Sequence, residues 1–227
     1  MDIAQALRQV RENICRAQEA SPLAAKQVQL LAVSKTQPLE RIEEAVRAGQ
    51  TLFAENRVQE LVEKHQVLPH LRWHLIGHLQ TNKVKYMVGK VEMLHSLDRI
   101  NLAQELQKHL SAQSLKLPVL VQVNIAEEES KSGLHTNEVA DFLDAMADFP
   151  NIKVQGLMTI GPFTAEAEVM RPVFRELRLI LQKEQKRNLP HTDLRHLSMG
   201  MSNDYLVAVE EGADMVRVGT GIFGSRY

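Results

Sequence analysis

Short apolar runs alternate with segments of helical period along most of this chain. An opening segment over residues 1–20 has Ile3, Leu7, Val10 and Ile14 at helical spacing, which predicts an amphipathic helix. The apolar runs that predict strands cover residues 30–33, 51–54, 73–76, 91–95, 119–123, 154–158, 194–197 and 215–218. The segments of helical period between them begin near residues 39, 58, 98, 136, 173 and 205. Asp98 is the expected N-cap of the third of these helices.

Strands that alternate with helices indicate parallel pairing through right-handed crossovers. Eight such units predict an α/β protein with a closed (β/α)8 TIM-type barrel, preceded by an extra N-terminal helix. The alternative is an open doubly wound sheet, but its glycine-rich first turn is missing, because residues 30–40 (LLAVSKTQPLE) contain no glycine. No linker-like or low-complexity tract interrupts the pattern, so residues 1–227 are expected to form one domain.

Composition excludes several classes of function. The chain has 227 residues, a formal net charge of −1 and 4% aromatic residues, which argues against nucleic-acid binding. No apolar run approaches the roughly 18 residues that span a bilayer, and the alternating charges of the N-terminal segment are not those of a signal peptide. One cysteine, Cys15, fits a reducing compartment, so we expect a cytoplasmic protein.

The residues that follow each strand form the active face of such a barrel. Lys35 comes directly after the first strand and should lie at the barrel mouth, where burial would make its amine nucleophilic. The alternative is a lysine that only extends into water.

The loops after the seventh and eighth strands favour a phosphate site. Ser198 starts the segment SMGMSND, and Gly219 and Thr220 start the segment GTGIFG. Small residues let backbone N–H groups approach an anion, and this position is the usual phosphate site of the fold. Alternatively, the glycines only turn the chain and Ser202 or Asn203 caps a helix.

A nucleophilic lysine opposite a phosphate site suits either pyridoxal 5'-phosphate or a sugar-phosphate aldolase. Arg217 lies two residues before Gly219 and would reach the ligand ring if its side chain points inward. The alternative for Arg217 is an ion pair with an acid such as Glu55.

His70, His74 and His78 recur every four residues, but they lie in and around a strand rather than on a helix, so a metal site is not expected.

Seven stretches make the chain resemble the pyridoxal phosphate homeostasis protein family. They are residues 30–38 (LLAVSKTQP), 55–60 (ENRVQE), 73–83 (WHLIGHLQTNK), 123–134 (VNIAEEESKSGL), 156–162 (GLMTIGP), 197–204 (LSMGMSND) and 215–224 (MVRVGTGIFG). Together they span nearly the whole chain. The chain departs from the family at Ala54 and Arg57, where Gly and Tyr are usual, and at Asn203, where Asp is frequent.

The resemblance implies a barrel similar to the N-terminal domain of alanine racemase, with pyridoxal 5'-phosphate held as a Schiff base on Lys35. It further implies Arg217 at the pyridine nitrogen and Asn56 beside the cofactor. The residues it implies at the phosphate are Ser198, Gly219 and Thr220.

The resemblance also implies a monomer that acts in cofactor homeostasis without efficient catalysis, with PLP-dependent apoenzymes as the partners of such a role. The alternative is a PLP-dependent amino-acid racemase on the same barrel. We do not expect racemase activity, because Arg217 would keep the pyridine nitrogen unprotonated. The chain also ends at Tyr227 without the domain that carries a racemase's second base. Whether Lys131 is a second acceptor is open from the sequence.

Overall fold

The protein is described here by a computed structural model that covers residues 2–126, 132–161 and 166–224. The strands in these ranges are β1 (Gln29–Val33), β2 (Leu52–Glu55), β3 (Arg72–Leu75), β4 (Met93–Leu97), β5 (Leu117–Gln122), β6 (Ile152–Met158), β7 (Thr192–Ser198) and β8 (Met215–Val218). The α-helices are α1 (Ile3–Ala20), α2 (Leu39–Arg47), α3 (Val58–Val67), α4 (Val84–Met87), α5 (Ile100–Ala112), α6 (Val139–Ala145), α7 (Arg171–Gln185), α8 (Tyr205–Glu210) and α9 (Thr220–Phe223).

The strands form a closed parallel barrel in chain order, in which β8 pairs with β1. The predicted (β/α)8 barrel with an additional N-terminal helix is therefore confirmed. Helix α1 packs against α2, α8 and α9, and Asp2 caps it by accepting a hydrogen bond from the N–H of Ala4.

Alternation along the strands separates two apolar layers, because successive side chains point to opposite faces of a sheet. The larger cluster fills the space between the barrel and the helices and includes Phe53 and Trp73. The smaller one fills the barrel interior, with Leu31 and Val33 from β1 and Ala54 from β2. The register of each strand thus decides which of its side chains face the barrel interior.

Two details differ from the sequence expectations. Helix α5 begins at Ile100, and Asp98 forms an ion pair with Arg99 instead of capping the helix. Strand β4 begins at Met93, two residues later than the apolar run suggested, because Glu92 is already on the surface in an ion pair with Arg72. None of the described helices is long and apolar enough to cross a membrane.

Candidate cofactor-binding site

Four neighbouring strands carry the residues expected at the site. Strands β7, β8, β1 and β2 are consecutive in the closed barrel, so their carboxyl ends share one half of its mouth. The predicted site residues lie at or just after these four ends: Lys35 after β1, Asn56 after β2, Ser198 at the end of β7, Arg217 within β8, and Gly219 and Thr220 directly after β8.

Lys35 lies two residues beyond the end of β1 and is half-buried. The N–H of Ser34 donates to the carbonyl oxygen of Ala54 at 3.1 Å, so pairing with β2 extends to the residue before the lysine. Lys35 also continues the alternation of Leu31 and Val33, which both line the barrel interior. The lysine therefore stands at the mouth of the barrel, as expected.

The turn after β8 brings two backbone N–H groups together. Gly219 and Gly221 each donate to the hydroxyl oxygen of Ser202 at 3.2 Å. A Cβ on Gly219 would lie 3.3 Å from the carbonyl oxygen of Val33, and one on Gly221 only 2.9 Å from Cγ1 of Val218. The small residues are thus required by close packing, and the serine that reaches this turn is Ser202 rather than Ser198.

Ser198 instead supports Arg217 inside the barrel. The guanidinium donates from Nη1 to the Ser198 hydroxyl at 2.6 Å and from Nη2 to the carbonyl oxygen of Thr159 at 2.8 Å. Burial lowers the pKa of Arg217 to about 10, and the carboxylate of Asp204 opposes this shift. Arg217 therefore remains a cation at neutral pH, with its side chain fixed by two hydrogen bonds.

Two buried histidines extend this hydrogen-bond chain across the barrel. Nδ1 of His95 lies 2.9 Å from the Ser198 hydroxyl, and Nε2 of His95 lies 2.9 Å from Nδ1 of His74. Burial lowers the pKa of His74 to about 3 and that of His95 well below its usual value, so both rings are neutral at physiological pH.

One assignment of hydrogens satisfies the whole chain. Arg217 can only donate, so Ser198 accepts from it and donates its own proton to Nδ1 of His95. His95 then donates from Nε2 to Nδ1 of His74, whose own proton is on Nε2, 3.9 Å from a carboxylate oxygen of Glu92. All bonds point the same way, from the guanidinium towards the amino-terminal end of the barrel.

Glu55 is not the partner of Arg217. It lies on the outer side of β2, where Oε1 is 2.7 Å from Nζ of Lys64 and accepts a hydrogen bond from the Ser34 hydroxyl at 2.6 Å. Burial raises the pKa of Glu55, while Lys64 acts in the opposite direction. The alternation on β2 explains the outcome, since Ala54 faces the interior and its neighbour Glu55 therefore faces the helices.

Asn56 carries an unsatisfied polar atom. Its side-chain Oδ1 is buried and has no hydrogen-bond partner within the described ranges. The backbone here packs tightly against the loop after β3, because a Cβ on Gly77 would lie 2.1 Å from the Asn56 carbonyl oxygen. A buried acceptor without a donor is uncommon and points to an absent ligand or water.

The histidine repeat forms no metal site. His74 points to His95, whereas His78 lies near Ser132 and Asp98, at 3.2 Å and 3.8 Å. Within the described part of the chain, no cluster of three or more candidate metal ligands occurs. Lys131 and Tyr227 lie outside the described residues.

Three features of the site were not predicted from the sequence. They are the contact of Ser202 with the glycine turn, the buried pair His74 and His95, and the position of Lys64 behind Lys35. The first was weighed only as a helix cap. The histidines could have been found from alternation, because His74 is two residues before the interior residue Ile76. Lys64 gave no comparable signal, since a lysine on an amphipathic helix is usually exposed.

Comparisons with known proteins agree with this architecture. The family model of the alanine racemase N-terminal domain matches residues 6–227. A pyridoxal phosphate homeostasis protein of Aquifex aeolicus is 45% identical over 231 residues, which cover 100% of this chain and 99% of that protein. The homeostasis protein of Escherichia coli K12 is 39% identical over 99% of this chain and 97% of its own length.

Solved structures show the same barrel. PipY of Synechococcus elongatus with PLP bound superimposes with a TM-score of 0.84 at 34% identity, covering 98% of this chain and 100% of PipY. The alanine racemase of Clostridium difficile has a TM-score of 0.72 at 15% identity, covering 97% of this chain and 57% of the racemase, which is a likeness of fold alone. The chain belongs to the pyridoxal phosphate homeostasis protein family, whose barrel is the alanine racemase N-terminal domain.

Proposed function

We propose that this protein binds pyridoxal 5'-phosphate, holds it covalently on Lys35, and stores or delivers it without efficient catalysis. The observation that carries the proposal is the convergence of three features on neighbouring strands. These are the half-buried Lys35 after β1, the fixed cation Arg217 on β8, and the paired amides of Gly219 and Gly221. Relatives that are 45% and 39% identical to this chain are named for homeostasis of the same cofactor.

The residues present fit this cofactor chemically. A phosphate monoester needs N–H or O–H donors. The Ser202 hydroxyl accepts from the amides of Gly219 and Gly221 and keeps its own proton to donate to such a group. The aromatic nitrogen needs a donor, and Arg217 has five N–H groups, of which two are used by Ser198 and Thr159. The unsatisfied Oδ1 of Asn56 would accept from a hydroxyl of the ligand.

The bound cofactor would supply an aldehyde that condenses with a primary amine and a ring that withdraws electrons. In our assignment Lys35 provides the amine, and Gly219, Thr220 and Ser202 hold the phosphate. Ser198 reaches the ligand only through Arg217, since its hydroxyl is fully buried between Arg217 and His95.

Weak catalysis follows from the same residues. A carboxylate beside the ring nitrogen would stabilise its protonated form, whereas the cation Arg217 disfavours it and so weakens electron withdrawal. Racemisation also needs a second proton-transferring group. Tyr205 accepts a hydrogen bond from Asn13 of α1 at 2.9 Å, and Tyr86 is exposed on α4, so both described tyrosines are placed for other roles.

We further propose that the protein acts in the cytoplasm as a monomer and that PLP-dependent apoenzymes receive its cofactor. A single cysteine supports an intracellular role.

Two assays on the loaded protein separate storage from turnover. We expect the loaded protein to activate an apo-aminotransferase after mixing, and to leave L-alanine, L-serine and L-lysine chirally pure over hours. Inversion of any of these amino acids at an enzymatic rate would establish the racemase alternative. A loaded protein that never activates the apoenzyme would contradict delivery.

A further inference from the structure

A group of three charged residues, two of them buried, lies directly behind the turn that carries Lys35. It consists of Glu55 at the end of β2 and of Glu60 and Lys64 on α3, and we call it the Lys64 triad. Nζ of Lys64 is 2.7 Å from Glu55 and 3.4 Å from Glu60. None of these residues belongs to the proposed cofactor contacts.

The triad holds the backbone on both sides of Lys35. Before the lysine, the carbonyl oxygen of Ser34 accepts from Nζ of Lys64 at 2.7 Å, and the Ser34 hydroxyl donates to Glu55 at 2.6 Å. After the lysine, the N–H of Thr36 donates to Glu60 at 2.7 Å. The turn is thus clamped at residues 34 and 36.

The clamp works against a backbone preference. Thr36 has a φ of 62°, in the left-handed region that a β-branched residue rarely adopts. Such a conformation persists only when the surroundings hold it, and the hydrogen bond from Thr36 to Glu60 is one that does so.

Lys64 is itself unsuited to react with an aldehyde. Its side chain is 9% exposed, and its three ammonium hydrogens are matched by three acceptors on Ser34, Glu55 and Glu60. Because its Nζ is buried and engaged by all three acceptors, this amine is not open to attack an aldehyde.

We propose, building on the proposed function, that Lys64 and Glu60 are positioning residues that hold the Lys35 turn ready for attachment of the cofactor. Attachment forms a carbon–nitrogen double bond between Nζ of Lys35 and the aldehyde carbon, and the aldehyde oxygen leaves as water with the two amine hydrogens. A correctly placed amine reacts faster because less orientational freedom is lost on the way to the transition state. The triad therefore governs the rate of attachment to Lys35.

The test compares two alanine variants of α3. Glu60→Ala removes the acceptor for Thr36, whereas Glu63→Ala removes an exposed acid from the same helix. Each folded protein is mixed with pyridoxal phosphate, samples are reduced with borohydride at intervals, and label on the Lys35 peptide is quantified by mass spectrometry. We expect attachment to slow about tenfold in Glu60→Ala and to stay within twofold of wild type in Glu63→Ala.

A conservative variant separates positioning from general destabilisation. Glu60→Gln keeps an oxygen that can accept from Thr36, so we expect it to restore most of the wild-type rate. Hydrogen exchange of the Thr36 amide in the cofactor-free protein gives an independent measurement, with faster exchange expected in Glu60→Ala only. Lys64→Met, with Lys116→Met as its exposed control, should slow attachment at least as much, and Glu60→Ala decides the question if Lys64→Met does not fold.

The outcomes are distinguishable. If wild type takes no label on Lys35, the proposed function fails and the positioning role fails with it. If wild type is labelled and folded Glu60→Ala is labelled at the same rate, or if Thr36 exchange is unchanged, the positioning role is wrong while the proposed function stands.

Discussion

The guanidinium of Arg217 donates a hydrogen bond of 2.6 Å to the hydroxyl of Ser198, and both residues are almost completely buried inside the barrel. This contact fixes the direction of a chain of hydrogen bonds that continues through His95 to His74. A cation inside a protein is stable only when its donors are matched. Ser198 therefore sets where the remaining donors of Arg217 point.

Removing the Ser198 hydroxyl should destabilise the protein. Ser198→Ala leaves both the guanidinium and Nδ1 of His95 without their shared partner in a fully buried position. We expect the free energy of unfolding to fall by about 2 kcal/mol, measured by urea denaturation. Ser111→Ala, at an exposed position on α5, should change it by less than about 0.5 kcal/mol. Equal stability of the two variants would show that the buried chain contributes nothing.

The two neutral histidines should make the fold acid-labile. Burial lowers the pKa of His74 to about 3, so between pH 3 and its unfolded value near 6.5 only the unfolded chain takes up this proton. Stability therefore falls as the pH falls through 6.5, and His74 alone accounts for a loss of about 2 kcal/mol between pH 7 and pH 5. His95 acts with the same sign.

A double variant isolates this effect. Burial raises the pKa values of Glu55 and Asp204, which favours the folded state at low pH and partly offsets the histidines. These acids are retained when His74 and His95 are both replaced by leucine, so the difference in pH dependence belongs to the histidines. We expect urea midpoints of the double variant to vary less between pH 7 and pH 5. A slope equal to that of wild type would contradict neutral, buried rings.

Ser202 should contribute to affinity for the phosphate group specifically. Ser202→Ala removes the hydroxyl that holds the amides of Gly219 and Gly221 side by side. We expect the dissociation constant of pyridoxal phosphate to rise about tenfold, while that of pyridoxal, which lacks the phosphate, changes by less than about twofold. Titration of both ligands by absorbance checks this. An equal loss for both would remove Ser202 from the phosphate site.

Much of the fold could be predicted because strand and helix periods differ. The eight apolar runs correspond to the eight observed strands within about two residues at each end, and strand order follows from the short right-handed crossovers. Asp98 shows the limit of local reasoning. Aspartate is a residue type that often caps helices, but here the neighbouring Arg99 binds its carboxylate.

The site was harder to predict because contacts across the barrel depend on register. Strand ends predict Lys35 and Arg217 on one side of the barrel mouth, and the structure has them on the neighbouring strands β1 and β8. The sequence does not distinguish the role of Ser198 from that of Ser202. Their roles depend on which serine faces the barrel interior and contacts Arg217, and which one contacts the glycine turn after β8. The buried position of Lys64 could not be predicted for a similar reason, because its partners lie just after β1, on β2 and on its own helix.

The central claim, that Lys35 holds the cofactor, is tested most directly by peptide-mapping mass spectrometry after borohydride reduction of protein incubated with pyridoxal phosphate. We expect one dominant adduct of the cofactor's mass on the peptide that contains Lys35, with little on exposed lysines such as Lys85 and Lys116. An unmodified Lys35 peptide, with no adduct or with adducts spread over the exposed lysines, would contradict it.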